Sequence, residues 1–418
     1  MTIKKIILTL AAALAAAAPL AAQDLALSWD QARRLAMENN PSVKAARASM
    51  EQAGYSYLAS VNAYLPQVSV SHSVTRSDSS LPDNRWSASI SASQELLNLR
   101  TVSTVKSSRL SREKAEADYL AASASARQTL AGAFADLLFA QKRAEVQKKI
   151  YSIRLENARL IRLKYESGME SKGNALYTEA LAESAAVSVK KAGRDLASAQ
   201  RALLEAMGLE GTRLVTAAGD ISVPEFALAE ADVALALEKS PRMVAAKKTL
   251  ESAKERVSAA RYYAYPSLKA SGSYGWSGDS EFPQDKSWSM GLSLSLPLFS
   301  GGPTYHFNNL AAYGKAQAAA EQDYKAARIT LAASLRSGYD GYLSAAETAR
   351  ASVSLLAANE ERYKEAQIKY MAGKISFIDL VNVEQNFVDS DLNGLDYART
   401  AHSRKNALEQ LLGVPMER

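Results

Sequence analysis

The chain has 418 residues, a formal net charge of +6, three histidines and no cysteine. The missing cysteine excludes disulfide staples, cysteine-ligated metal and an acylated amino-terminal cysteine anchor. No Lys/Arg cluster stands apart from its acidic neighbours, so nucleic acid is not indicated as a partner, and His72, His306 and His402 lack the companions of a metal or nucleophile site; neither an enzyme nor a bound cofactor is expected.

Residues 1–22 have the layout of a secretory signal peptide: Lys4 and Lys5, an apolar run from Ile6 to Ala18, then Pro19-Leu20-Ala21-Ala22 with small residues near the cut. The run is shorter than the roughly 20 residues of a spanning helix, and cleavage is expected near Ala22. Loss of the two lysines lowers the net charge from +6 to +4.

The rest reads as one unit written twice, over 23–220 and 221–418. Asn40-Pro41 recurs as Ser240-Pro241, Tyr64-Leu65-Pro66 faces Ala264-Tyr265-Pro266, and Trp86-Ser87-Ala88 faces Trp288-Ser289-Met290. Lys164-Tyr165 with Gly168 recurs as Lys369-Tyr370 with Gly373, and Ala202-Leu203 with Gly208 as Ala407-Leu408 with Gly413. Two copies of this length are too long and too few for a solenoid of short stacked repeats.

Within the first copy, Ser28-Trp29-Asp30-Gln31 is the capping-box pattern of a small helix. A second helix is predicted from Pro41 to Tyr64 behind Asn40, and its counterpart from Pro241 to Tyr263 behind Ser240, proline being favoured at the first helical position. Residues 83–223 and 304–414 contain no proline and are rich in good helix formers. Long helices are predicted over about 101–165 and 305–370, on the order of 100 Å each at 1.5 Å per residue. Glycine-marked tips follow at about 166–172 and 371–375, then returning helices to Met207 and Leu412. These are helical hairpins, and the two short helices of each copy, end to end, roughly match the long one.

Four segments alternate instead with period two: about 67–76, 86–97, 267–277 and 287–298. A soluble sheet with one wet face gives the same alternation. Serine at every other position makes a poor core contact yet suits a water-filled lumen, and Trp and Tyr lie near the strand ends, as in an outer-membrane barrel. Asp78 to Asn84 and Gly278 to Lys286 would then be outward-facing loops.

Four strands cannot close a barrel, and open edges are not tolerated in hydrocarbon. Two copies would give eight strands with a filled interior; three give twelve and leave a lumen. An extended coiled coil is the plainer alternative and does not account for strands at matched places. The expected fold is therefore a mixed α and β membrane protein: a trimeric 12-stranded β-barrel, four strands per chain, continued by a long α-helical barrel.

The residues resemble the TolC-like outer-membrane efflux protein family over essentially the whole mature chain. The resemblance rests on Leu27-Ser28-Trp29-Asp30-Gln31-Ala32 through Asn39-Asn40-Pro41, Tyr64-Leu65-Pro66, Leu298-Phe299-Ser300-Gly301-Gly302, Lys369-Tyr370-Met371-Ala372-Gly373 with Asp379 and Leu380, and Ala407-Leu408 to Leu411-Leu412-Gly413. It implies a homotrimer in the outer membrane with its long α-helical barrel in the periplasm, passively conducting substrates of tripartite efflux or type I secretion from a periplasmic adaptor and an inner-membrane pump of RND, ABC or MFS type. It also implies gating and adaptor docking at the tips, placed here at Tyr165, Gly168, Tyr370 and Gly373; a helix-ending glycine and a packed tyrosine explain each of these equally well. Acidic rings constrict such tunnels, and the matching positions are Asp379, Asn174 and Asn382, a departure from a fully acidic pattern. Glu179 and Glu384 are candidate lumen-facing residues, and a solvated helix face explains them as well. The rival function is a trimeric outer-membrane-anchored structural stalk without transport; an envelope hydrolase comes third.

Overall fold

The computed structural model describes residues 25–76, 84–211, 214–297 and 301–417. The expected signal peptide, most of the first loop between paired strands, and Leu298-Phe299-Ser300 lie outside the described residues.

The first half runs β1 (Leu25–Leu27), α1 (Trp29–Asn39), α2 (Pro41–Val61), β2 (Gln67–Arg76), β3 (Asn84–Leu97), α3 (Leu99–Glu166) and α4 (Lys172–Met207). The second half repeats that order: β4 (Val215–Ala217), α5 (Glu230–Lys239), α6 (Pro241–Arg261), β5 (Ser267–Gly278), β6 (Asp285–Ser295), α7 (Tyr305–Met371) and α8 (Phe377–Leu412). Helices α3 and α7 span 68 and 67 residues. One 3-10 turn closes α2 at Asn62–Tyr64 and another closes α6 at Tyr262–Ala264, where the sequence reading carries each helix straight on.

Local chemistry sets the helix starts. Ser28 and Gln31 exchange both bonds of a capping box, and the Asn40 side-chain oxygen accepts from the backbone of Ser42 and Val43. Asn98 caps α3 in the same way through Arg100 and Thr101. Ser240 departs from its expected role. Its backbone sits where Asn40 does, yet its hydroxyl makes no cap bond and, among the described residues, is buried without a partner, packed beneath the end of α8 where Gly413 approaches Pro241.

The short helices of each half join end to end. Asn40 Nδ2 donates to the Ala206 carbonyl across 2.8 Å, tying the start of α2 to the end of α4. Gly208 makes this junction possible: its φ is +74°, and an added Cβ would lie 2.6 Å from the Asn39 carbonyl oxygen. Helix α3 packs against α2 and α4 on one side and against α6 and α8 on the other, while α7 packs mainly on α6 and α8, with the short α5 laid against it through Val233, Ala236, Leu331 and Leu335. The protomer is thus four parallel staves, α2/α4, α3, α6/α8 and α7.

Near the middle of the staves, β1 and β4 form a parallel pair, Leu25 opposite Val215 and Leu27 opposite Ala217. Gln141 bonds the backbone of Ala217 in both directions, and Gln200 donates to the Val215 carbonyl. The main core lies around this clasp, with Leu27, Leu130, Leu137, Leu203, Met207 and Met416 buried. Strands of three residues are too short to show an alternation, so the sequence reading omits them, and it omits α5.

Beyond the staves, one antiparallel sheet runs in the order β2-β3-β5-β6. Its register puts Ser69, Ser91, Ser273 and Ser289 in one cross-strand row on one face, and Val70, Ile90, Tyr274 and Trp288 in the adjacent row on the other. Serine hydroxyls bond across the strands at 2.8 to 2.9 Å in the pairs Ser69–Ser91, Ser71–Ser89, Ser73–Ser87 and Ser273–Ser289. The apolar face is bare: Val70, Trp288, Met290, Leu292 and Leu294 are all at least 70% exposed. Among the described residues the edge strands β2 and β6 each have one unpaired side, and both are exposed along their whole length.

Candidate gate at the hairpin tips

Both long helices end in the same backbone turn. Gly168 (φ +78°) and Gly373 (φ +68°) take the left-handed conformation that ends a helix. The Met169 N–H reaches back to the Lys164 carbonyl, and the Lys374 N–H to the Lys369 carbonyl, each at 2.8 Å. Among the described residues, nothing beyond the chain neighbours lies within 4 Å of a Cβ added at either glycine, so the turn alone requires them.

Side chains then tie one tip to the other. The Tyr370 hydroxyl donates to Glu170 Oε2 at 2.5 Å, while Asn174 Nδ2 and the Ser171 N–H donate to Glu170 Oε1 at 2.7 and 3.2 Å. Lys164 Nζ sits 4.0 Å from the centre of the Tyr370 ring and donates to the Tyr370 carbonyl at 3.3 Å. Burial opposes the charge on Glu170, yet the bonds from Tyr370, Asn174 and Ser171, with Lys164 nearby, together hold its carboxyl below the usual glutamate range. Burial, then the bond to Glu170 and its charge, push the Tyr370 phenol up. Tyr370 is therefore a lasting donor to a lasting carboxylate.

Tyr165 occupies the equivalent place on the first hairpin but packs, half-buried, against the apolar cluster of Ile161, Tyr363, Tyr370, Leu380 and Phe387. Asn174 is half-buried and engaged with Glu170. Asp379 is exposed at the start of α8, where its carboxylate accepts from the Ser376 hydroxyl (2.6 Å) and N–H (3.1 Å). Those bonds lower its pKa. Asn382 lies exposed one turn further on.

Glu179 pairs with Arg162 at 2.8 Å at the surface. Glu384 corrects the sequence reading: it is 5% exposed, so it does not face a lumen. Its carboxylate accepts from Asn157 at 2.5 Å and Arg154 at 3.3 Å. Asn157 also donates to the Tyr363 hydroxyl, so the group joins α3 to α7 and α8. Burial raises the Glu384 pKa, and the Asn157 and Arg154 bonds only partly offset it. An isolated glutamate on a helix carries no sign in the sequence of a half-buried arginine supplied by another helix.

Glu170 is the tip residue that sequence reasoning misses. A signal exists: it stands where the second copy has Ile375, so the copies differ there in charge. Between the tips lies a groove of about 870 Å³, lined in part by Met169, Tyr177, Tyr370, Phe377 and Ile378. Around it Leu163, Met169, Ile368, Met371 and Ile378 are each more than half exposed, an apolar collar at the end of the staves.

The family model described as outer membrane efflux protein matches residues 32–209 and 233–414, one block in each half. The chain belongs to the outer membrane efflux protein family. It is similar to outer membrane protein TolC of Vibrio cholerae, at 22% identity over 89% of this chain and 86% of that protein. It is also similar to the cobalt-zinc-cadmium resistance protein CzcC of Cupriavidus metallidurans, at 22% identity over 72% and 71%. Among solved structures, the open state of the MtrE outer membrane channel of Neisseria gonorrhoeae superposes with a TM-score of 0.81, at 20% identity and coverage of 95% and 93%. As an outer membrane efflux protein, the chain resides in the outer membrane, with its long helical part in the periplasm.

Proposed function

We propose that three copies close their sheets edge to edge into a twelve-stranded barrel, continued by a tube of twelve helical staves, and that this trimer is a passive exit duct. One observation carries the reading: the sheet has a bare apolar face, a serine face and two unpaired edges. Those edges cannot stay open in hydrocarbon, where each unpaired backbone group costs several kcal/mol. Twelve strands leave a lumen that the serine face can line with water.

The duct serves tripartite efflux or type I secretion. A periplasmic adaptor, coupled to an inner-membrane pump, meets the apolar collar and groove at the tips, with Tyr165, Gly168 and Gly373 shaping the contact. The Tyr370–Glu170 bond, backed by Asn174 and Lys164, holds the tips closed, and Asp379, with Asn382 beside it, lies at the narrowest point. With no phosphate-binding glycine loop in the sequence, the energy comes from the pump.

The test joins planar-bilayer conductance of the purified protein with substrate sensitivity of a deletion strain. A duct conducts, and its loss sensitises the cell to exported compounds. A stalk that conducts nothing, and whose loss sensitises to nothing, would sink the reading.

A further inference from the structure

The serine face of the sheet can be followed row by row. Towards the outer end, Arg85 stands opposite Thr75, and Asp285 shares the next row with Ser73, Ser87 and Ser277. Three rows follow without a charge: Ser71, Ser89, Gly275 and Ser287; Ser69, Ser91, Ser273 and Ser289; Gln67, Ser93, Ser271 and Gly291. The next row, where the sheet meets the helices, holds Glu95 directly opposite Lys269, with Ser293 beyond.

The two charges of that row are held differently. Glu95 accepts from Thr101 Oγ1 at 2.8 Å and Asn98 Nδ2 at 3.1 Å, which fixes its carboxylate beside the amino terminus of α3. Lys269 is exposed and makes no ion pair among the described residues, although its backbone lies across from that of Glu95. Directly opposed residues on neighbouring strands are about 5 Å apart, so a solute crossing this row meets both signs at similar range.

We propose that Glu95 and Lys269 form a charge-balanced ring at the inner end of the barrel lumen which, beneath three rows of neutral hydroxyl wall, makes the barrel indifferent to the sign of a solute's charge. The proposal rests on the trimeric duct described above, in which the ring holds three carboxylates and three ammoniums in alternation. The serines supply hydrogen bonds to any polar solute, and many satisfy one another across strands, so the wall neither traps nor repels ions. Charge selection is then left to the helical tips. At this inner end the wall's charge rests on the balance of one pair, and removing either partner unbalances it.

The experiment compares the reversal potential in a potassium chloride gradient for the parent trimer, Glu95→Gln and Lys269→Gln. The amide introduced by Glu95→Gln keeps an acceptor oxygen for Thr101 and Asn98. The expected result is a shift towards chloride for Glu95→Gln and towards potassium for Lys269→Gln, several-fold in permeability ratio and opposite in sign. Conducting variants with no shift, or shifts in one direction, overturn the proposal while leaving the duct intact; a parent that conducts nothing removes both. The chain has no native cysteine, so Lys269→Cys gives a second reading within a single channel. A cationic methanethiosulfonate should restore the parent potential, and an anionic one should move it further towards potassium. Failure of both water-soluble reagents to reach position 269 from either side also overturns the proposal.

Discussion

The Tyr370 hydroxyl on the second hairpin donates a 2.5 Å hydrogen bond to Glu170 on the first, and that bond crosses the seam between the two tips. Tyr370 is 4% exposed and its ring lies under Lys164, so the donor is fixed before the acceptor arrives. Hydrogen bonds to charged groups contribute roughly 1.5–3 kcal/mol. Tyr370→Phe removes the hydroxyl and keeps the packed ring. The expected outcome is a rise of about tenfold or more in the fraction of time the duct spends open, since about 1.4 kcal/mol is a factor of ten. Single-channel recording checks it; an open fraction equal to the parent's would show that the bond does not hold the tips.

The same contact sets a pH dependence with a definite sign. The Glu170 carboxyl is lowered from its ordinary value near 4.5, because the bonds from Tyr370, Asn174 and Ser171 outweigh its burial. A group lowered in the closed tip contributes closure that is fully present above its ordinary pKa and is lost as the pH falls through the lower, closed-tip value. Closure should therefore hold unchanged from neutral pH down to about 4.5, then weaken on further acidification. Conductance against pH tests this, and Glu170→Gln should abolish the acid limb. An acid limb equally steep in Glu170→Gln would assign the titration elsewhere.

Much of this molecule is legible in the sequence, for physical reasons that differ by element. Strand alternation, proline-free helical runs and the glycines at 168 and 373 are local signals, so the strands, the long helices and the tips can be read directly. Partners supplied from distant segments leave no such mark. The Glu170–Tyr370 bond spans 200 positions and the Asn157–Glu384 bond 227, which is why the sequence alone passes over Glu170 and offers Glu384 to a lumen. The β1–β4 clasp is invisible there because three residues cannot establish a period.

The cap bond of Asp379 and the constriction role proposed for it can be separated by substitution. Its carboxylate accepts from Ser376 at the start of α8 and is exposed there. Asp379→Asn keeps an acceptor for the cap while removing the charge, so multivalent-cation block of conductance should weaken with thermal stability nearly unchanged. Asp379→Ala should weaken block equally and also cost about 1 kcal/mol, because the Ser376 N–H loses its acceptor in the capping box. Block unchanged in Asp379→Asn would remove this residue from the constriction.

The glycines that end the four longer helices of the two hairpins should not respond alike to alanine. At Gly168 the added Cβ meets nothing, so Gly168→Ala costs the left-handed conformation alone, roughly 1–2 kcal/mol. At Gly208 the Cβ also collides with the Asn39 carbonyl at 2.6 Å and Asn40 Cα at 2.7 Å, which are backbone atoms that cannot swing aside. Gly208→Ala should lower the thermal midpoint clearly more than Gly168→Ala. Equal midpoints would mean that α2 and α4 do not meet as closely as described.

Closure of the sheet edges is the step on which the duct depends, and the cysteine-free chain allows it to be tested directly. One cysteine is placed along Val68–Val74 of β2 and one along Met290–Leu294 of β6, in the same chain, and the positions are scanned under mild oxidation in the outer membrane. Disulfides form only where backbones come within about 7 Å. The result expected is a ladder of covalent dimers and trimers that stops at three, for a subset of position pairs fixed by the register. Monomers at every pair, or a ladder continuing past three, would contradict a closed barrel of three chains.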